Sequence, residues 1–298
     1  MSHAPRALAA AALALSLALA ASGCAAVEAR LAAIPFDPPT TPAAWCAARP
    51  CIDLGGVIWN EPLGTALVYG LAALYVVAGV RIWRERGRER SRLAWAWALI
   101  LGGVAAGAAG TSYQAFSYEL KCARRELCVW TSPFEVAYLV LQSASVGCMV
   151  AAVAWSCTRG ALQRALVAYA ALSVALHAGV TLLGVVTANP RLLSFELLLL
   201  FSLPALLVGL GLNGTRWLRR GSALDGALFG AWLWLVATNA IHFAYGAAGL
   251  TQRFWQEGRG FHFSENDVLH VGMIGWAFYV LRVVAPRVRD LGGARAAA

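Results

Sequence analysis

Two acids, an amide and an imidazole stand together between Phe263 and His270 (Phe-Ser-Glu-Asn-Asp-Val-Leu-His), where an apolar run to Val280 begins. Asn266 and His270 are four residues apart, and Asp267 and His270 are three apart. On a helix both spacings bring side chains to one face. A carboxylate and an imidazole so placed can ligate a metal or work as an acid–base pair. A structural reading competes for part of the set. Ser264 followed three residues later by Asp267 has the form of a capping box, and acids suit the positive end of a helix dipole. His270 lies about one and a half turns into the helix, beyond the reach of a cap. Ser132, Pro133 and Glu135 repeat the capping pattern, with proline at the first helical position.

The elements that must hold these groups follow from the composition. The chain has 298 residues, 60% of them hydrophobic and only 13% charged. Long apolar runs with so few charges indicate a polytopic membrane protein, an all-α bundle. Seven runs are long enough to cross a hydrocarbon core, near 62–82, 93–117, 133–156, 165–187, 192–213, 223–247 and 265–284. None shows the two-residue alternation of a barrel strand. Pro204 predicts a kink or break in the fifth run. Gly102, Gly103, Gly107 and Gly110 predict close helix approach in the second.

Residues 1–24 read as a signal segment, with Arg6, an apolar stretch and Ser22-Gly23-Cys24. The ending resembles a lipoprotein signal, which would lipidate Cys24. Residues 25–60 carry Pro35, Pro38, Pro39, Pro42 and Pro50 without a helical period, and read as an irregular segment outside the membrane. The bundle occupies 61–285 and a tail 286–298. The net charge of +9 is almost entirely arginine; Lys121 is the one lysine. Arginines crowd 81–92 and recur at Arg159, Arg164, Arg216, Arg219, Arg220, Arg282, Arg287, Arg289 and Arg295. By the positive-inside rule that side is cytoplasmic, and the N-terminus of the mature chain is exoplasmic, in a bacterial inner membrane. Excess arginine of this kind sets topology and implies no nucleic-acid partner. Cys46, Cys51, Cys122 and Cys128 then fall outside and predict disulfides, either as two local pairs or as links between the two segments.

With that topology the polar side chains collect at the exoplasmic ends of the runs. They include Asn60, Glu61, Ser112, Tyr113, Gln114, Glu135, Glu196, Asn239, His242 and His270. The inner halves hold almost nothing comparable, apart from a lone His177 that reads as structural. The asymmetry predicts an outward-facing polar cavity. His242 has a plain alternative, as a buried histidine bonded to a backbone carbonyl.

Seven runs, Ser112 near the outer end of the second, the acid Glu135 in the third and the Asn266/His270 pair opening the seventh resemble the CREST superfamily. That group includes alkaline ceramidases and the progestin and adipoQ receptors. The resemblance implies a seven-helix fold and a zinc-dependent hydrolase of lipid amides or esters. His270, Asp267 and His242 would hold zinc, Glu135 would be the general base, and Ser112 would help bind the oxyanion. Asn266 and Phe116 stand where the superfamily has two further histidines. The alternative function is a non-catalytic sensor or partner subunit that binds a membrane lipid or small molecule in the same cavity. A retinal protein is excluded because Lys121 is in a loop. No pair of matching interrupted helices points to a transporter.

Overall fold

The computed structural model describes residues 25–291; the expected signal segment, with Cys24, and residues 292–298 of the tail lie outside them. The segment read as irregular is folded. It holds α1 (Ala25–Ala32), α2 (Pro42–Ala47) and an antiparallel hairpin of β1 (Cys51–Asp53) and β2 (Ile58–Asn60). Thr41 caps α2 and Pro42 occupies its first turn. Disulfide Cys46–Cys51 ties α2 to the hairpin, and Cys122–Cys128 closes the loop after α5 (Ser117–Lys121). Both are the local pairings. Such elements are too short to show a period in sequence.

Among the described residues seven helical spans are long and apolar enough to cross a membrane. They are α3 (Pro62–Arg84), α4 (Arg90–Gly110, continued to Ala115), α6 (Pro133–Cys157), α7 (Gly160–Thr187), α8 (Phe195–Arg220), α9 (Ala223–Ala247) and α11 (Glu265–Tyr279, continued by a π-turn to Val284). A short α10 (Leu250–Phe254) precedes α11. Prolines in the first turn start α3 and α6, where a missing N–H costs nothing. Serine hydroxyls cap α8, α9 and α11. Gly221, at φ 61°, ends α8 in the left-handed conformation. Helix α8 runs unbroken through Pro204 to Arg220, seven residues past its expected end at 213, and α7 starts at Gly160 instead of 165. Arginines and polar residues at these ends belong to the helices although hydropathy assigns them to loops.

Six of the seven helices form a closed ring. Helix α3 packs on α4, α4 on α6, α6 on α8, α8 on α9, α9 on α11, and α11 returns to α3. Helix α7 stands outside the ring against α6. The α3–α4 seam is tight because Gly79 and Gly103 let backbones meet: a Cβ on either would lie 2.7–2.8 Å from a carbonyl oxygen of the facing helix. Gly110 sits equally close to Val68, whereas Gly107 has room to spare.

The two ends of the bundle differ. At the arginine-rich end the first part of the expected tail is docked. Asp290 accepts from the backbone N–H groups of Arg90 and Ser91, at the start of α4. Arg92 donates to the carbonyls of Val288 and Ala285, and the N–H of Leu291 bonds to the carbonyl of Trp155. Nearby, Asp225 is fully buried and accepts from Arg216 at 2.8 Å and Asn213 at 3.0 Å, while Trp232 donates to Asn213. This cluster corrects the expectation that the arginine-rich half of the bundle holds little polar chemistry. The other end carries the disulfides and opens into a cavity.

Candidate functional site

The ring encloses one continuous cavity of about 840 Å³. Its deep part is apolar, lined by Leu71, Leu99, Met149, Leu206, Trp232 and Trp276. Met149 lies sixteen residues along α6, so this part reaches about 25 Å from the cysteine-bearing end. Near that end the lining becomes charged, with Arg49, Glu61, Lys121, Glu135, His262 and Glu265.

Helix α4 does not stop cleanly at Gly110. It passes into a single π-turn, Thr111–Ala115, of the kind that recurs at functional sites. The turn divides neighbouring side chains between two directions. Tyr113 and Gln114 line the cavity, while Ser112 is buried behind the wall. The Ser112 hydroxyl donates to Glu135 Oε1 at 2.7 Å and lies 2.7 Å from the Ser132 hydroxyl. Ser132 therefore makes no side-chain cap on α6, and Glu135 does not complete the expected capping box. Glu135 instead forms a buried ion pair with Lys121. Lys121 was expected in an ordinary loop. Helix α5 folds it back over the cavity, where its ammonium stands 4.8 Å from the ring of Tyr113 and 5.9 Å from those of Phe36 and Trp45.

A second ion pair faces the cavity from the folded N-terminal segment. Arg49 donates to Glu61 at 3.2 Å and stacks 3.9 Å above the Trp45 ring. Glu61 adopts φ 44°, a strained left-handed conformation for a non-glycine residue. The strain is held by the pairing of the Glu61 N–H with the Pro50 carbonyl and by the Asn60 side chain, whose Nδ2 donates to the Pro50 carbonyl and whose Oδ1 accepts from the Tyr118 N–H. Burial pushes the Glu61 carboxyl up to about 7; Arg49 opposes this, and Asp267 and Glu265 add to it. Burial likewise lowers the Arg49 guanidinium, and pushes His262 down to about 4.

The expected metal ligands divide. Asp267 completes a capping box with Ser264: its Oδ2 accepts from the Ser264 N–H at 2.7 Å and from the Ser264 hydroxyl at 3.0 Å. It is buried behind the wall, with Oδ1 turned toward Gly64, where a Cβ would lie 2.7 Å away. Only glycine lets α3 pass this close to the start of α11. His242 lines the cavity but its Nδ1 is 2.9 Å from the Glu265 carbonyl, the plain alternative for a buried histidine. His270 lines the cavity and its Nδ1 has no partner. Among the described residues no group of three or more His, Cys, Asp or Glu side chains is arranged to hold a metal ion. The zinc set His270, Asp267 and His242 is thus not assembled, and the residues present do not fit that ion. Glu135, His242 and His270 share the cavity; Ser112 and Asp267 do not reach it.

A family model described as a family of unknown function, DUF6962, matches residues 65–288. The chain belongs to that family. The DUF6962 match spans all seven ring and peripheral helices, with Lys121, Glu135, Glu265 and His270; Arg49 and Glu61 precede it. No curated protein and no solved structure matches the chain. The sequence reading gave no role to Arg49 and Lys121, the two bases that line the cavity beside Glu61, Glu135 and Glu265. The signal for Lys121 was its rarity, as the single lysine in a chain rich in arginine.

Proposed function

We propose that this DUF6962 chain is a multi-pass protein of the bacterial inner membrane that binds an amphipathic, lipid-like molecule in its central cavity. The observation that carries the reading is the polarity gradient of the cavity, charged at one end and lined by tryptophan, methionine and leucine at the other. A volume of about 840 Å³ suits a ligand with a headgroup and an apolar chain. Leu172, Leu176, Leu200 and Leu207 project outward from α7 and α8, which supports a lipid surround for the bundle. Paired cysteines at the cavity end and arginines at the other support an exoplasmic mouth and a cytoplasmic C-terminus. The CREST resemblance supports hydrolysis, but Glu135 is engaged by Lys121 and Ser112, and among the described residues the three zinc donors form no metal-holding group. Binding without turnover is the better-supported activity.

The test uses ω-bromododecanol, whose bromine quenches tryptophan on contact, with protein purified in a maltoside detergent. Saturable quenching is expected, from Trp232 and Trp276, and Ala106→Phe, which fills the cavity, abolishes the saturable part. Quenching that never saturates, or that Ala106→Phe leaves unchanged, removes the cavity as a chain-binding site.

A further inference from the structure

We propose that the headgroup recognised at the charged end of the cavity is a cation, an ammonium carried on an apolar chain. The inference rests on the chain-binding reading above and adds the sign of the ligand's charge. Two basic side chains line the cavity, Arg49 and Lys121, against four carboxylates, Glu61, Glu135, Glu196 and Glu265. Both bases are already paired, with Glu61 and Glu135. Glu265 accepts the Thr251 hydroxyl, at 2.8 Å, and Arg49 and His262 lie within its electrostatic reach, but neither Glu265 nor Glu196 forms an ion pair among the described residues. Asp267 adds a further negative group just behind the wall. The start of α11 contributes a partial positive charge, which Glu265 and Asp267 in its first turn already offset. An anionic headgroup would meet this surplus of carboxylates in a partly dehydrated site, whereas a cation removes it.

Uncommitted acceptors are available to such a headgroup. Gln114 Oε1 and Asn239 Oδ1 are buried, line the cavity and have no partner, and both are acceptors. His270, only 8% exposed, leaves Nδ1 without a partner on the same wall, where an unprotonated nitrogen also accepts. Arg49 Nε and Trp45 Nε1 are uncommitted donors of the lining, and the Tyr75 hydroxyl can donate or accept. A primary ammonium brings three donors and no acceptor, which the acceptors of Gln114 and Asn239 can take up. The rings of Tyr113 and Tyr138, and of Phe195 and Phe243, also face the cavity in two pairs and offer π-faces to a cation.

Four ligands that share one chain and differ in headgroup decide the matter. Dodecylamine, dodecyltrimethylammonium, dodecyl phosphate and dodecanol compete with ω-bromododecanol for the saturable quenching of the full-length protein in maltoside. The amine is expected to displace the probe at about tenfold lower concentration than dodecanol, a difference of about 1.4 kcal/mol. Dodecyl phosphate is expected to be weaker than dodecanol. If the amine beats the quaternary ammonium, the acceptor atoms dominate; the reverse order assigns recognition to the aromatic rings, and both support a cation site. Glu265→Gln and Glu196→Gln are each expected to shrink the amine-to-dodecanol ratio several-fold. Equal potency of amine and dodecanol, or preference for the phosphate, overturns the inference. Displacement by none of the four, with no saturable quenching to begin with, is failure of the chain-binding reading itself.

Discussion

Buried acids appear at both ends of the bundle, and their surroundings differ. At the arginine-rich end, Asp225 is met by Arg216, Asn213 and the Ser222 hydroxyl's cap on its own N–H, and Asp290 is used up by two backbone N–H groups of α4. None of these residues lines the central cavity. At the cysteine-bearing end, Glu61, Glu135 and Glu265 face shared space and outnumber their bases. The first arrangement fixes helices to one another. The second holds charge in readiness for something that is not protein. Burial of an acid therefore says little about function until its partners are counted.

The contrast can be broken by removing one partner at each end. Asp225→Ala strands Arg216 and Asn213, and Lys121→Met strands Glu135; each is expected to lower stability by about 3 kcal/mol, read as a fall in thermal midpoint of the purified protein. The two ends part in the double variants. Lys121→Met with Glu135→Gln should recover most of the loss, because no unpaired charge remains, and should change ligand binding. Asp225→Ala should leave binding by the folded fraction as it was. A binding change from Asp225→Ala would erase the distinction.

Covalent closure is confined to one end, which gives a smaller expected effect. Replacing Cys122 and Cys128 with serine opens a short loop, and about 2 kcal/mol of stability should be lost. Reductant should cost the native chain more than this, because it also opens Cys46–Cys51, and should cost the double variant only the share of that second bridge, since Cys148 and Cys157 are free thiols already.

The pH dependence should also belong to one end. A carboxyl held near 7 in the folded chain, above its ordinary value of 4.5, binds a proton more tightly when folded. Its penalty is absent below about pH 4.5 and grows as pH rises, reaching its full size above about 7. The groups that act on Glu61 are Arg49, Asp267 and Glu265, and His262, at about 4, is neutral through this window. Stability should decline between pH 5 and 8 and Glu61→Gln should flatten that slope. Amine binding should strengthen over the same interval. A slope that survives Glu61→Gln places the titration elsewhere. The smallest effect is expected for Arg81→Ala, whose pair with Glu85 is exposed on both sides; about 0.3 kcal/mol or less should be lost in the same thermal assay.

The spans were legible because an apolar run of twenty residues has few other fates, and their starts were readable where proline or serine marks them, as at Pro62, Pro133 and Ser264. The cap role of Asp267 was legible from Ser264 alone. Ser132 misled, since an identical pattern there is overruled by a neighbour, Ser112, that only tertiary packing supplies. Asn213 and Asp225 were invisible because a hydropathy window blends them into a helix end. Lys121 and Arg49 were missed for a different reason: their roles depend on α5 and the N-terminal hairpin folding back over the ring, through contacts far apart in sequence.

The ring also fixes an order of events during synthesis. Helices α3, α4 and α6 are neighbours in sequence and in space, so they can assemble while the ribosome is still making the rest. The chamber exists only once α11, the last helix made, meets α3, the first. Asp290 and Leu291 then latch the end of the chain onto α4 and α6. A nascent chain stalled before Glu265 has most of its helices and no container, so competence to hold cargo arrives in the final step of translation.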